Sequence, residues 1–196
     1  GTSVQGFPEA NTNGAEIDFI YSPNAGFLLG GNASYTDASY SEEYIQPTGV
    51  AGVIDENDPN APPSLYSIAE RTVSMKGVQM LRIPKSKFAM YANWSRDLYG
   101  GTVDYLLTYA WTSSIMWDDS GLALDRSPAF DRMDVKVSWR NADEDLEIMA
   151  FVNNIHNKIG IRNTTSDGEN QGFRRSVTPT LPRSAGIGFT YKIGAY

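Results

Sequence analysis

Apolar and polar side chains alternate, one for one, along most of this 196-residue chain. Alternation at a period of two is the mark of a strand with two different faces, and no stretch of comparable length repeats its apolar residues at the helical spacing. Residues 15–21 set Ala15, Ile17, Phe19 and Tyr21 against Glu16 and Asp18. Residues 27–40 set Phe27, Leu29, Ala33 and Tyr35 against Asn32, Ser34 and Thr36, and residues 87–95 set Phe88, Met90, Ala92 and Trp94 against Ala89, Tyr91, Asn93 and Ser95. Val103, Tyr105, Leu107, Tyr109 and Trp111 oppose Asp104, Thr108 and Thr112, with Leu106 the one misfit; Met133, Val135, Val137 and Trp139 oppose Arg132, Asp134, Lys136 and Ser138. In 146–153, Leu146, Ile148, Ala150 and Val152 face away from Glu147, Met149, Phe151 and Asn153, so apolar residues lie on both sides and the register is weakly specified. A seventh strand, 184–196, puts Ala185, Ile187, Phe189, Tyr191 and Ile193 on one face.

The connections sort by length. They are short at 22–26, 97–101 and 141–144, and long at about 41–85, 118–129 and 156–182, in strict alternation. Short ends therefore lie on one side of the sheet and long ends on the other. Outer-membrane barrels have this arrangement, with tight periplasmic turns and long extracellular loops, and a tilted strand needs about 9 to 11 residues to cross hydrocarbon. On the apolar face Tyr21, Phe27, Trp94, Trp139 and Tyr191 fall near the short-turn end, and Tyr35, Phe88 and Trp111 near the other. Two such bands are the aromatic girdles of a lipid-facing wall, because amphipathic rings settle at the headgroup level. The competing reading makes the same rings the core of a soluble β-sandwich.

Composition narrows the choice further. With 16 Lys and Arg against 23 Asp and Glu, a net charge of -7, the chain has no basic patch to hold a phosphate backbone, and nucleic acid is not an expected partner. It has no cysteine, which excludes disulfides and thiolate chemistry. No run of about 18 apolar residues would form a membrane helix, and the first residues lack the basic and apolar regions of a signal peptide, so an export signal is expected to be removed or to lie outside this sequence.

The order and spacing of several short motifs resemble the TonB-dependent receptors of Gram-negative outer membranes, and specifically the last third of their barrel. These are Gly14, Glu16, Pro23, Tyr35 and Asp37 in the first two strands; Gly77, Pro84 and Lys85 before the third; and Leu146, Ile148, Val152 and Asn154, followed by Ile155, His156 and Asn157 where the family usually has Leu-Phe-Asp. Pro182 and Arg183 then precede the closing strand. The resemblance implies an all-β, antiparallel transmembrane barrel of about twenty-two strands, of which residues 1–196 supply about seven, with the N-terminal plug absent. It further implies extracellular loops at 41–85 and 156–182. The expected function is TonB-energised uptake of a bulky nutrient: a siderophore, haem, cobalamin or oligosaccharide. The implied partners are outer-membrane lipid and lipopolysaccharide, TonB through the plug, the barrel assembly machinery, and further strands from the same or another chain. Ser184, Gly186, Phe189 and Tyr191 resemble the terminal assembly signal, although the chain runs five residues past Tyr191, which makes Tyr196 a second candidate for the terminal aromatic and places Ile193 inside the signal. Seven strands cannot close a barrel, and residues 2–7 are the one place where an eighth, short and poorly patterned, could lie.

Candidate chemistry is sparse. The sole histidine, His156, has neither a nucleophile nor a second histidine at metal-binding spacing, and residues 55–60 gather oxygen ligands but depart from the calcium-loop spacing at Pro59 and Ala61. The sequons at Asn32, Asn93 and Asn163 matter only in a eukaryotic secreted protein. Glu16, Asp104, Asp134 and Glu147 share a face with Arg132 and Lys136, which suits a wet lumen better than acid–base catalysis. No enzyme activity, metal or cofactor is expected. In the family, ligands are captured by extracellular loops; the residues so placed here are Tyr40, Tyr44, Tyr66, Arg162, Phe173, Arg174 and Arg175, the arginine pair being suited to an anionic chelate or to lipopolysaccharide phosphates. Two alternatives remain beside the receptor: a small structural or adhesive outer-membrane barrel, and a soluble carbohydrate-binding sandwich.

Overall fold

The structure, a computed structural model, describes residues 9–42, 45–48, 71–74, 76–117, 126–166 and 175–194, with the backbone alone at 45–48, 71–74, 166 and 175. Seven strands form one antiparallel sheet: β1 (Ala10–Asn24), β2 (Phe27–Tyr40), β5 (Ser86–Leu98), β6 (Gly101–Thr112), β9 (Phe130–Asn141), β10 (Leu146–Asn153) and β13 (Ser184–Tyr191). Neighbours in the sheet follow chain order, so the sheet is a meander. Three two-stranded ribbons interrupt it: β3 (Ile45–Thr48) with β4 (Arg71–Ser74), β7 (Ile115–Met116) with β8 (Arg126–Ser127), and β11 (Ile161–Ser166) with β12 (Arg175–Pro179). All three rise from the long connections, where the alternation is too short to stand out from a loop.

Each short connection has its own turn chemistry. Leu98 pairs with Gly101 across Tyr99 and Gly100, whose φ angles of 54° and 68° make a two-residue turn with both central residues left-handed, the geometry that matches strand twist. Asn24 pairs with Phe27, and its Oδ1 accepts the Gly26 N–H at 3.0 Å. The third turn closes from the Glu144 N–H to the Asn141 carbonyl at 3.1 Å, and Asn141 Oδ1 accepts the Leu146 N–H at 3.0 Å.

The register brings the apolar rows together, with one irregularity in the main sheet, between Tyr21 and Asn24 of β1. Tyr21, Leu29, Ala92, Leu107, Val135, Val152 and Ala185 form one cross-strand row. The ambiguity in β10 is resolved by its neighbours: Ile148 pairs with Trp139 and Phe189, which leaves Met149 and Phe151 on the polar face. The apolar face is uncovered: Ile17, Tyr21, Tyr35, Trp94 and Ile148 are exposed, and Ile187 and Phe189 are 83% and 69% exposed. A sandwich would bury this face against a second sheet; the only other sheets among the described residues are the three ribbons.

The girdles measure the tilt of the strands. Tyr21 lies in the row of Ala185, whereas Tyr191, at the same girdle, lies six positions further along β13, after six strand-to-strand steps. The upper band slides the same way, since Tyr35 is two positions beyond Ala33, the partner of Phe88. A drift of about one residue per strand, at about 3.3 Å rise and about 4.8 Å spacing, corresponds to a tilt of about 35°, inside the range of transmembrane barrels. The rings are level with respect to a membrane because the strands are not perpendicular to it.

The last strand stops at Tyr191, so Ile193 lies beyond it, and residues 195–196 lie outside the described residues. The Lys192 N–H still donates to the Asp145 carbonyl at 2.8 Å, in register with the Leu146–Tyr191 pair. Residues 2–7 lie outside the described residues, as do residues 55–60.

In the closed barrel, Leu107→Arg at the middle of the outer face is expected to destabilise folding by about 2–4 kcal/mol. Thr108→Arg, one residue on and facing inward, should cost under about 1 kcal/mol. Denaturant titration of barrel refolded into lipid vesicles measures both, and equal costs would contradict the assignment of faces.

Candidate functional site

The polar face is the candidate functional surface, and three hollows lie along it between the short turns and the long loops. Nearest the short turns, Asp104 accepts from Arg140 Nη2 at 2.7 Å and from the Ser95 hydroxyl, while Lys136 lies 3.8 Å from Glu147. Asn93, Asp104, Leu106, Lys136, Arg140 and Glu147 line a hollow of about 440 Å³ there. These charges come from neighbouring strands in three successive inward rows, so opposite signs meet diagonally across the ladder.

Apolar side chains also face inward, in the same rows as Asp104 and Lys136. Leu106, Met149 and Phe151 line a second hollow of about 430 Å³. Three glycines receive side chains from the neighbouring strand: a Cβ at Gly186 would lie 2.7 Å from Phe151 Cζ, one at Gly188 2.5 Å from Met149 Cε, and one at Gly30 2.5 Å from the Tyr91 hydroxyl. The large side chains thus lie flat along the wall, which widens the interior and pins strand register.

The upper level, toward the long loops, holds Asp18, Ile20, Asn32, Tyr91, Thr108, Arg132 and Asp134 around a hollow of about 430 Å³. Arg132 Nε donates to both oxygens of Asp134 at 2.8 and 3.0 Å. The carboxylates Asp104, Asp134 and Glu147 therefore each have a cationic partner.

Above β10 the chain turns through Asn154, which is 1% exposed and has φ 52°. Its backbone N–H donates to Asp134 Oδ1 at 2.6 Å, its Nδ2 donates to the carbonyls of Lys158 and Leu181 at 2.8 and 3.1 Å, and its Oδ1 accepts the Lys158 N–H at 3.1 Å. Asn157, φ 53°, accepts the Arg183 N–H through Oδ1 at 2.9 Å. Two asparagines thus tie the root of the last long loop to β9 and to the start of β13. Sequence reasoning used Asn154 only as a family match; its sign was an Asn-Asn step where a strand gives way to a loop, since asparagine tolerates the left-handed region.

The residues expected to capture ligand are scattered. Tyr40 is 7% exposed at the top of β2, under the segment that pairs at Lys76 and Gln79, so it is wall rather than surface. Arg162 is exposed on β11, and Arg175 begins β12, paired with Ser166. Tyr44, Tyr66, Phe173 and Arg174 lie outside the described residues. Ser184, Gly186, Phe189 and Tyr191 all lie on β13, with Ser184 and Gly186 facing inward and Phe189 and Tyr191 outward. His156 sits in the turn after Asn154 with its Nδ1 3.2 Å from Asp131.

A tilted antiparallel sheet with a girdled apolar face and a charged, hollowed opposite face is an arc of a transmembrane β-barrel. Residues 1–155 match the family described as TonB dependent receptor-like, beta-barrel, and the chain belongs to that family. Among solved structures it is similar to the ferric yersiniabactin uptake receptor FyuA from Yersinia pestis, with a TM-score of 0.67 and 14% identity over 93% of this chain and 23% of that one. It is also similar to the siderophore receptor PiuA from Acinetobacter baumannii, with a TM-score of 0.63, 14% identity, and 93% and 22% coverage. At this identity the likeness is one of fold, and the chain spans under a quarter of either receptor. No curated protein sequence matches it.

Two outcomes test the wall. Asn154→Ala is expected to destabilise the closed barrel by about 2–3 kcal/mol, and Asn154→Gly by less, because glycine keeps the backbone conformation and loses only the side-chain bonds; equal losses would remove the role of φ. Gly186→Val should slow folding into vesicles several-fold, with Phe151→Ala restoring part of the rate. A null interaction in that double-mutant cycle would show that ring and glycine do not act together.

Proposed function

We propose that this chain is the wall segment of an outer-membrane receptor that imports a bulky, scarce nutrient under TonB control. The observation that carries the reading is the pairing of an uncovered, girdled apolar face with a charged, hollowed opposite face on one tilted sheet, in a chain of the TonB-dependent receptor family. The apolar face contacts lipid in the outer membrane of a Gram-negative bacterium. The polar face surrounds the plug, which engages TonB and gates passage, and the ribbons on the long-loop side carry the capturing loops. The chain does no covalent chemistry in this scheme.

A ferric siderophore is the first substrate class to test, because one similar structure is named a siderophore receptor and the other a ferric yersiniabactin uptake receptor. Arg162, Phe173, Arg174 and Arg175, with Tyr44 and Tyr66, are proposed as loop contacts to an anionic chelate. Tyr40 is retained only as support beneath them, given its burial. The small structural barrel has no observation in its favour, and the soluble sandwich is opposed by the uncovered face.

A strain lacking the complete receptor should lose uptake of at least one iron-labelled siderophore from a chemically varied panel. Restoring the receptor should restore uptake only when TonB is present. Undiminished uptake of every iron, haem, cobalamin and oligosaccharide substrate in the deletion strain would overturn the proposal.

A further inference from the structure

Two neighbouring rows of inward side chains, near the long-loop end, frame the hollow bounded by Asp18 and Arg132. The upper row runs Asp18, Asn32, Ala89, Ala110 and Arg132 across five strands, so its centre is two alanines and its ends are polar. In the row beneath, Tyr91, Thr108 and Asp134 follow Gly30. A Cβ at Gly30 would meet the Tyr91 hydroxyl and ring at 2.5 to 2.8 Å, so the ring lies across that glycine with a face turned to the interior. The result is a trough of about 430 Å³, a volume within the range of small-molecule sites, with a small apolar floor and an aromatic plate along one bank.

Around the trough stands a set of hydrogen-bonding groups that the protein leaves unused. The side chains of Asp18, Asn32, Tyr91 and Thr108 have no hydrogen-bond partner among the described residues. Arg132 commits its Nε to Asp134 at 2.8 and 3.0 Å, which leaves its two terminal amino groups free to donate. Asp134 is fixed in turn by the Asn154 N–H at 2.6 Å, so the guanidinium is held from behind. Formal charge in the trough is -1, counting Arg132 against Asp18 and Asp134. An anionic group would satisfy Arg132 but meet net negative charge, and a cationic one would set like charge against the guanidinium. Hydroxyls both donate and accept, so they satisfy Asp18, Asn32, Thr108 and Arg132 together. A counter-charge reaching Asp18 from a further strand would bring the trough to neutrality and still leave acceptor positions on the carboxylate. The ring carbons of a sugar present C–H groups that suit the negative face of an aromatic ring, which is what Tyr91 offers.

We propose that this trough binds an uncharged, hydroxyl-rich ligand, a neutral oligosaccharide. Tyr91 is its stacking plate, Asp18, Asn32, Thr108 and Arg132 are its hydrogen-bonding groups, and Asp134 is the residue that positions Arg132. The site names a substrate class for the receptor reading given above and rests on that reading, but it is independent of the arginine-bearing loops proposed to hold an anionic chelate.

The test uses the complete receptor purified in detergent and an array of short neutral gluco-, manno-, galacto- and xylo-oligosaccharides, with hits titrated by calorimetry. At least one is expected to bind. Thr108→Val and Asn32→Ala should each weaken that binding about fivefold, the loss of one hydrogen bond. Tyr91→Ala should weaken it roughly tenfold, whereas Tyr91→Phe, which keeps the ring, should hold it. Asp134→Asn should weaken binding about fivefold in the parent and have no further effect once Arg132→Gln is present, because it acts only through that guanidinium. Citrate, the anionic probe, should not compete. The proposal fails if no oligosaccharide binds, if Thr108→Val and Tyr91→Ala bind like the parent, or if citrate displaces the sugar. It also fails if these variants lower the melting temperature of the receptor and leave sugar binding unchanged, since the trough would then be filled by the plug. TonB-dependent uptake of an iron chelate by a receptor that binds no oligosaccharide would refute the site and leave the receptor reading standing. Sugar binding through the trough in a receptor with no TonB-dependent uptake would do the reverse.

Discussion

Everything in this structure depends on one constraint: each backbone amide that faces lipid must be satisfied inside the sheet, because hydrocarbon offers no partner. Antiparallel pairing along strands of 12 to 15 residues meets it in β1, β2, β5, β6 and β9. Once the backbone is committed to a ladder, side chains have only two directions in which to point. The period of two then sends Leu107 to lipid and Leu106 and Thr108 to the interior, and a slip by one residue would exchange the two solvents along a whole strand. Register is accordingly over-determined. The hydrophobic pattern sets it, the left-handed Tyr99 and Gly100 set it again at the turn, and Phe151 over Gly186 sets it a third time on the last pair.

The interior face follows a different logic. Its ion pairs are partly exposed, and pairs of that kind add little to stability. What Asp104 with Arg140 and Glu147 with Lys136 do is lower the field along the inner wall, so that it presents local dipoles rather than a single sign. β1 departs from this pattern. Glu16 and Asp18 have no cation within 4 Å among the described residues, which fits an edge whose counter-charges come from strands beyond this arc.

The sheet was largely legible from the sequence because its information is local and repeated. Trp94 and Tyr105, or Val137 and Ala150, each sit at the parity that their own strand announces, and all seven strands were visible for that reason. Where both faces of a strand were apolar, at Met149 and Phe151, local pattern could not decide the register; the neighbours decided it through Trp139 and Phe189. The ribbons escaped notice because two to six residues are too few to establish a period. Tyr40 looked like a loop residue because its burial comes from a distant segment, 76–80, folding over the end of β2. The family motifs added a fold and a direction of function, but Asn154, the most tightly held side chain in the loop root, stood out only when four hydrogen bonds converged on it.

The two free edges decide what kind of object this is. Among the described residues, β1 presents a row of unpaired backbone groups along one side of the sheet and β13 along the other. In water such edges invite aggregation; in hydrocarbon each unsatisfied group costs several kcal/mol, and no packing of Ile187 or Phe189 against lipid offsets a whole row of them. The arc therefore becomes a stable membrane structure only when further strands hydrogen-bond to both edges. A tilt of about 35° and a drift of about one residue per strand are the geometry that lets a wide barrel close without a gap in that ladder. Closure, rather than any side chain in these seven strands, is what converts a two-faced sheet into a wall between a lipid exterior and a charged interior.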